Sequence, residues 1–290
     1  MVRRYYDAQA EREWGRLVRD PYHRLEFIVT MHFLDKHLPK GGLILDAGGG
    51  PGRYAIELAK KGYEVVLHDL SPRRLEIAKR EIEKSGVQKN IKKIVEESIT
   101  DLSEFADESF DAVLCLGALS HLIERRDRHQ AIRELVRVMK KKTPIFASVI
   151  SLYGVFRTVL QEFPHELTDP SYEELFSQGV HRVDSPHKGF TEAYFFHPKE
   201  LRELFESQGV ETLEMATCEG LSSHLQEETN KIYKDKEKWE HAGWRYFSER
   251  ATIPQFWVSG NIFYTWEEKA KEDSLFSQTL NQSFIVAHTP

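Results

Sequence analysis

The stretch Leu43-Ile44-Leu45-Asp46-Ala47-Gly48-Gly49-Gly50-Pro51-Gly52-Arg53-Tyr54 runs from an apolar segment, through a cluster of glycines, into a helical pattern. The apolar run that stops at glycines predicts a buried parallel strand entering a turn. From Arg53 to Lys61 the spacing of Ala55, Ile56, Leu58 and Ala59 predicts a helix, with Gly62 placed for its stop. Consecutive glycines between a strand and a helix let the backbone turn sharply and let a ligand approach where any Cβ would collide. Such a loop binds a nucleotide-like cofactor. The dinucleotide fingerprint would require glycine at position 53, where this chain has Arg53, and no Gly-Lys-Ser/Thr follows to make a phosphate-binding P-loop.

Working outward, strands and helices alternate. Strands are predicted at Glu64 to Asp69, Ile91 to Glu96, Phe110 to Cys115 and Pro144 to Val149. Helices are predicted from Pro72 to about Lys84 and from Arg125 to Met139. Ser71-Pro72 supplies an N-cap followed by proline at the first helical position. This rhythm predicts a parallel sheet covered on both faces. Upstream, Ala8 to Leu38 reads as two helices broken at Asp20-Pro21. Downstream, residues 151–196 and 222–275 read as irregular, lid-like insertions. Between and after them a helix (Pro198 to Ser207) and strands (Val210 to Met215 and Ser283 to His288) complete the sheet.

Two carboxylates sit where open α/β sheets bind ligands, at the carboxyl ends of strands. Asp46 ends the first strand. Asp69 ends the second, where a carboxylate accepts from both hydroxyls of a ribose. Their bland alternatives are a turn cap for Asp46 and a helix-dipole acid for Asp69.

On these residues the chain resembles the class I S-adenosylmethionine (SAM)-dependent methyltransferases, particularly the small-molecule branch that includes the ubiquinone and menaquinone biosynthesis methylases. Leu43 to Gly52 is similar to the family's first motif, Val65 to Asp69 to its acidic second strand, and Phe110 to Gly117 to its fourth motif. The resemblance implies a Rossmann-like, seven-stranded, mostly parallel sheet with an antiparallel last strand. It implies one domain over residues 1–290: a helical cap at 1–40, a cofactor-binding core at 41–150, the two insertions, and 198–221 with 276–290 completing the sheet.

The cofactor implied is SAM, held by Tyr6, Asp46, Gly48, Gly49, Gly50, Arg53, Asp69, Leu70, Ser98, Ile99, Leu116 and Gly117. Tyr6 belongs to an N-terminal segment, Tyr5-Tyr6-Asp7, similar to the family's cap. Ser98 stands where relatives often carry an aspartate that contacts adenine. His121, just beyond the fourth motif, is the candidate general base, because imidazole titrates near neutral pH; substrate contact or packing is its alternative. Arg53 either meets the cofactor carboxylate or lies in solvent.

Composition narrows the rest. A net charge of −6 with 30% charged residues argues against a general phosphate-binding surface, so nucleic acid is not an expected partner. Two cysteines, Cys115 and Cys218, make neither a disulfide framework nor a zinc spacing. No apolar run approaches the ~18 residues of a membrane span, and a cytoplasmic location is expected. His165, His181, His187 and His197 lack metal-ligand spacing, so no metal is expected. Aromatic residues of the insertions, from Tyr153 to Phe196 and at Trp239, Trp244, Trp257 and Trp266, either wall an acceptor pocket or pack the insertions. The expected function is methyl transfer to a small-molecule acceptor. The alternatives are a protein or RNA methyltransferase, a non-catalytic SAM-binding module, and more remotely an NAD-dependent oxidoreductase.

Overall fold

The computed structural model describes residues 1–182, 191–219, 222–240 and 282–289. Two helices come first, α1 (Val2–Arg16) and α2 (Pro21–His37). Asp20 is the N-cap between them, its carboxylate accepting from the His23 amide at 3.0 Å, and Pro21 fills the first helical position. Asp20→Ala is therefore expected to lower stability by about 1 kcal/mol, read as a shifted denaturant midpoint with an unchanged slope. The first helix starts at Val2, six residues before the expected Ala8.

The core alternates as β1 (Leu43–Ala47), α3 (Arg53–Lys60), β2 (Glu64–Asp69), α4 (Pro72–Ser85), β3 (Ile91–Glu96), β4 (Ala112–Leu116), α5 (Arg125–Val138) and β5 (Pro144–Ile150). Phe110, expected inside the fourth strand, precedes it and forms an isolated bridge with Met139. The chain continues with α6 (Leu152–Glu162), α7 (Ser171–Gln178), β6 (Val180–His181), β7 (Ala193–Tyr194), α8 (Pro198–Glu206), β8 (Glu211–Thr217), α9 (Gln226–Tyr233) and β9 (Gln282–His288). Residues 151–182 are thus more regular than the sequence reading allowed. Leu152, Val155 and Val159 recur at helical spacing, a pattern obscured by Gly154 and by the density of rings around it.

Seven strands form one sheet in the order β3-β2-β1-β4-β5-β9-β8. The first five pair in parallel, while β9 runs antiparallel to both β5 and β8. A chain that needs right-handed crossovers places helices on both faces. Phe33 and Leu34 of α2, together with α3 and α4, bury one face against Ile44, Leu67 and Phe146. Ile132 and Leu135 of α5 with Leu201 and Phe205 of α8 cover the other, against Leu45, Val113 and Ile145. The carboxyl ends of β1, β2, β4 and β5 therefore open on one common edge, and the functional residues gather there.

Candidate cofactor and acceptor site

The glycine turn is shaped from within. Gly48, Gly50 and Gly52 have φ of 78°, 57° and 78°, in the left-handed region that L side chains avoid. The Gly48 and Gly49 amides donate to the His68 carbonyl at 2.8 and 3.0 Å, tying the turn to the neighbouring strand. A Cβ on Gly48 would lie 2.5 Å from the Cβ of Ala118, and one on Gly49 would lie 2.4 Å from the Asp46 carboxyl group. Glycine is therefore required both for the turn and for its fit.

Asp69 fastens the loop from the side. Its Oδ2 accepts from the Gly50 amide and its Oδ1 from the Ser71 amide, each at 2.9 Å, and the Arg74 guanidinium lies 3.5 Å away. Asp46 lies below, fully buried, and neither carboxylate oxygen has a hydrogen bond of ordinary geometry. Burial first, and then the charge of Asp69, push its pKa up to about 7; the Ala55 amide and Arg74 offset only part of this. A cationic group over the loop would stabilise the ionised form. Binding such a group near pH 7 is accordingly expected to release a fraction of a proton, visible as a binding enthalpy that varies with the ionisation enthalpy of the buffer.

Over this edge lies a cavity of about 890 Å³. One end is walled by Gly48, Asp69, Leu70, Ser98, Ile99 and Leu116, joined by Gly117 and Tyr6. The opposite wall is apolar and comes from α6 and its C-terminal end, from α7, and from the residue just after β7: Val155, Val159, Phe163, Leu175 and Phe195. Arg16, Tyr22, Glu26 and Glu219 make a polar corner. There Arg16 holds Glu26 through two bonds of 2.6 and 3.0 Å, and Tyr22 donates to Glu219 at 2.9 Å.

Helix α1 lies across the opening and is fastened by polar contacts. Asp7 accepts from the Ser71 hydroxyl at 2.6 Å, Arg3 pairs with Glu96 at 2.8 Å, and Glu11 pairs with Arg80 at 2.8 Å. Ala10 is its single fully buried residue. The Tyr6 hydroxyl lies 2.6 Å from Nε2 of His121, and the Arg74 guanidinium sits 4.5 Å from the centre of the Tyr6 ring. Nδ1 of His121 lies 3.2 Å from the Glu192 carbonyl oxygen, an acceptor. Nδ1 therefore carries the proton, and Nε2 accepts from Tyr6.

Among the residues singled out in the sequence, Tyr6, Gly48, Asp69, Leu70, Ser98, Ile99, Leu116, Gly117 and His121 come together on the cavity wall. Gly49, Gly50 and Asp46 form the layer beneath. Arg53 turns elsewhere: its guanidinium lies 3.6 Å from the centre of the Trp14 ring and donates to the Trp14 carbonyl at 2.6 Å, anchoring α1. Ser98 is capped by its own neighbour, its hydroxyl lying 2.7 Å from that of Thr100. Most of the 222–275 insertion, with Trp244, Trp257 and Trp266, lies outside the described residues, as do His187 and Phe190. Arg74 was missed in the sequence. The Ser71-Pro72 cap places it in the first turn of α4, beside Asp69, and that was the available signal.

Residues 44–142 match the family described as a methyltransferase domain. The chain is 27% identical over 151 residues to a ubiquinone biosynthesis O-methyltransferase of Xanthomonas axonopodis pv. citri, covering 52% of this chain and 58% of that protein. It is 28% identical over 141 residues to a tRNA 5-carboxymethoxyuridine methyltransferase of Escherichia coli, covering 47% and 54%. The chain thus spans somewhat more than half the length of these curated relatives. In three dimensions it is similar to a SAM-dependent methyltransferase from Methanosarcina mazei, with a TM-score of 0.56, 17% identity, and coverage of 89% and 96%.

Proposed function

We propose that this chain, a class I SAM-dependent methyltransferase in its domain and fold, transfers a methyl group to a nucleophile of a small-molecule acceptor and releases S-adenosylhomocysteine. One observation carries the reading. A glycine loop with no room for a Cβ crosses a buried, unpaired Asp46 carboxyl, at the mouth of a cavity of about 890 Å³ that extends beyond the loop. The fit to SAM follows from the donor set. Asp46 and Asp69 favour a cationic, ribose-bearing ligand, and Ile99 and Leu70 offer an apolar slot for a base.

When bound, SAM supplies a methyl group already activated by its sulfonium. What the chain must add is orientation and dryness. Asp69 holds the ribose end, Ser98 and Ile99 the base, and Gly48 to Gly50 with Leu116 and Gly117 the methionine end. Tyr6 and α1 close the near side. The apolar wall of Val155, Val159, Phe163, Leu175 and Phe195 seats the acceptor and keeps water from the reacting atoms. His121 stands at the junction of the two halves and serves as the proton acceptor.

A small acceptor is supported by the likeness to ubiquinone biosynthesis O-methyltransferases and by a cavity covered from both sides. The tRNA methyltransferase relative favours a second reading, an acceptor within RNA. The net charge of −6 weighs against it. Among the described residues no helix is long and apolar enough to cross a membrane.

Calorimetry tests the cofactor. SAM and S-adenosylhomocysteine are expected to bind in the micromolar range and NAD not to bind. Tight NAD binding without a response to SAM would overturn the reading. The acceptor class is tested by offering labelled SAM with small hydroxylated and amine acceptors in parallel with total tRNA; methyl incorporation confined to tRNA would favour the second reading.

A further inference from the structure

Resting on the methyl-transfer reading above, we propose that Tyr6 and His121 act as one proton-accepting pair, and that the acceptor they serve attacks through a hydroxyl group. The pair joins elements far apart in sequence, 115 positions from α1 to the turn after β4. The Tyr6 hydroxyl stands on the cavity wall and occupies Nε2 of His121, the only ring nitrogen of the neutral imidazole that takes a proton. The Glu192 carbonyl, on the other side of the ring, fixes that tautomer. A hydroxylated acceptor entering beside Leu116 therefore meets the tyrosine oxygen, with the histidine behind it.

Burial keeps the pair neutral. Burial pushes the His121 pKa down to about 4, with the Arg74 guanidinium adding to the effect, while the Glu192 carbonyl and Asp69 oppose it. Burial likewise holds the Tyr6 hydroxyl well above its ordinary value, so a free tyrosinate does not form. Proton movement is then concerted. As the acceptor oxygen forms its bond to the methyl carbon and the sulfur–methyl bond breaks, the acceptor O–H proton passes to Tyr6 Oη. Tyr6's own proton passes to Nε2, leaving an imidazolium and the neutral thioether. A weak base suffices, because an oxygen bonded to an arriving methyl cation becomes strongly acidic. A primary amine, in contrast, becomes a stable methylammonium and needs no base at the moment of transfer. That difference is why the pair points to a hydroxyl.

The geometry also gives α1 a chemical role. Because Tyr6 rides on a helix fastened by ion pairs around a single buried alanine, the proton path is complete only when that helix lies down.

The test uses the full chain with ¹⁵N-histidine labelling and S-adenosylhomocysteine bound, together with methyl transfer from labelled SAM to catechol and to glycine as probes. Tyr6→Phe keeps the ring against Arg74 and removes only the hydroxyl. With the donor to neutral Nε2 gone, the His121 titration is expected to move up by about one pH unit. Transfer to catechol is expected to fall at least about tenfold, by more than any accompanying change in SAM affinity. His121→Asn is expected to produce a similar fall, and the double variant no further one. An unmoved His121 titration with unchanged turnover in Tyr6→Phe would overturn the pairing. Methylation of glycine but not catechol would overturn the acceptor class. Failure of the parent chain to bind SAM would sink the methyl-transfer reading instead, and the imidazole titration would still report on the pair.

Discussion

Asp69→Ala is expected to weaken SAM binding by roughly one to three orders of magnitude while leaving the chain folded. Two effects add. A carboxylate bonding a ribose hydroxyl is worth about 1.5–3 kcal/mol, or roughly tenfold to a hundredfold in affinity. Asp69 also accepts the Gly50 and Ser71 amides, so its loss frees the glycine turn from the side and leaves the Arg74 guanidinium without its buried partner. A loop that must be re-ordered on binding adds its conformational cost to the apparent affinity. Asp69→Asn separates the two parts, because its amide oxygen replaces one acceptor and not the charge; an intermediate affinity is expected. Circular dichroism and calorimetry on the same samples decide the matter. Parent-like affinity in a folded Asp69→Ala chain would remove the ribose role altogether.

The core was legible because its local and global signals agree. Leu43 to Gly52 announces strand, turn and ligand approach in ten residues, and the structure gives β1, a left-handed turn and the cavity mouth in the same order. Alternation of short apolar runs with amphipathic stretches was enough to place β2, β3, α5 and β5 within one or two residues. The antiparallel last strand came from the family resemblance and not from the pattern of Ser283 to His288, which carries no mark of direction.

What stayed hidden depends on long-range contact. Nothing in Arg53 distinguishes a residue facing the cofactor from one that stacks on Trp14, since both sit at the first turn of a helix beside a ligand loop. The partnership of Tyr6 with His121 joins two ordinary local patterns and exists only once α1 folds back over α4. Residues 151–182 hid their helices for another reason. Gly154 inside α6 and the prolines Pro164 and Pro170 read as turn formers, and the exposed Phe156 and Leu160 add apolar residues outside the inward stripe of Leu152, Val155 and Val159.

The strand that closes the sheet sets the second large effect. β9 lies between β5 and β8 and pairs with both, so the final residues of the chain complete a sheet begun some 240 residues earlier. Its Phe284 is 1% exposed, and its ring centre lies 5.3 Å from that of Phe33 on α2 and 6.2 Å from that of Phe146 on β5. Those three rings join the N-terminal cap helix, the parallel core and the last strand in one apolar cluster. Phe284→Ala removes the middle ring from a site where β-pairing on both sides prevents collapse, which places the expected cost at about 3–5 kcal/mol. Against a total of roughly 5–15 kcal/mol for a typical native protein, that is a large share. The thermal midpoint is expected to fall by about 6–20 °C. Phe284→Leu, which keeps most of the volume, is expected to lose less than half as much. Because the cluster lies on the sheet face under α2 and not on the cavity wall, SAM affinity measured well below the midpoint should match the parent. A midpoint unmoved by Phe284→Ala would mean that β9 is not held by this cluster, and that the sheet closes through its backbone ladder alone.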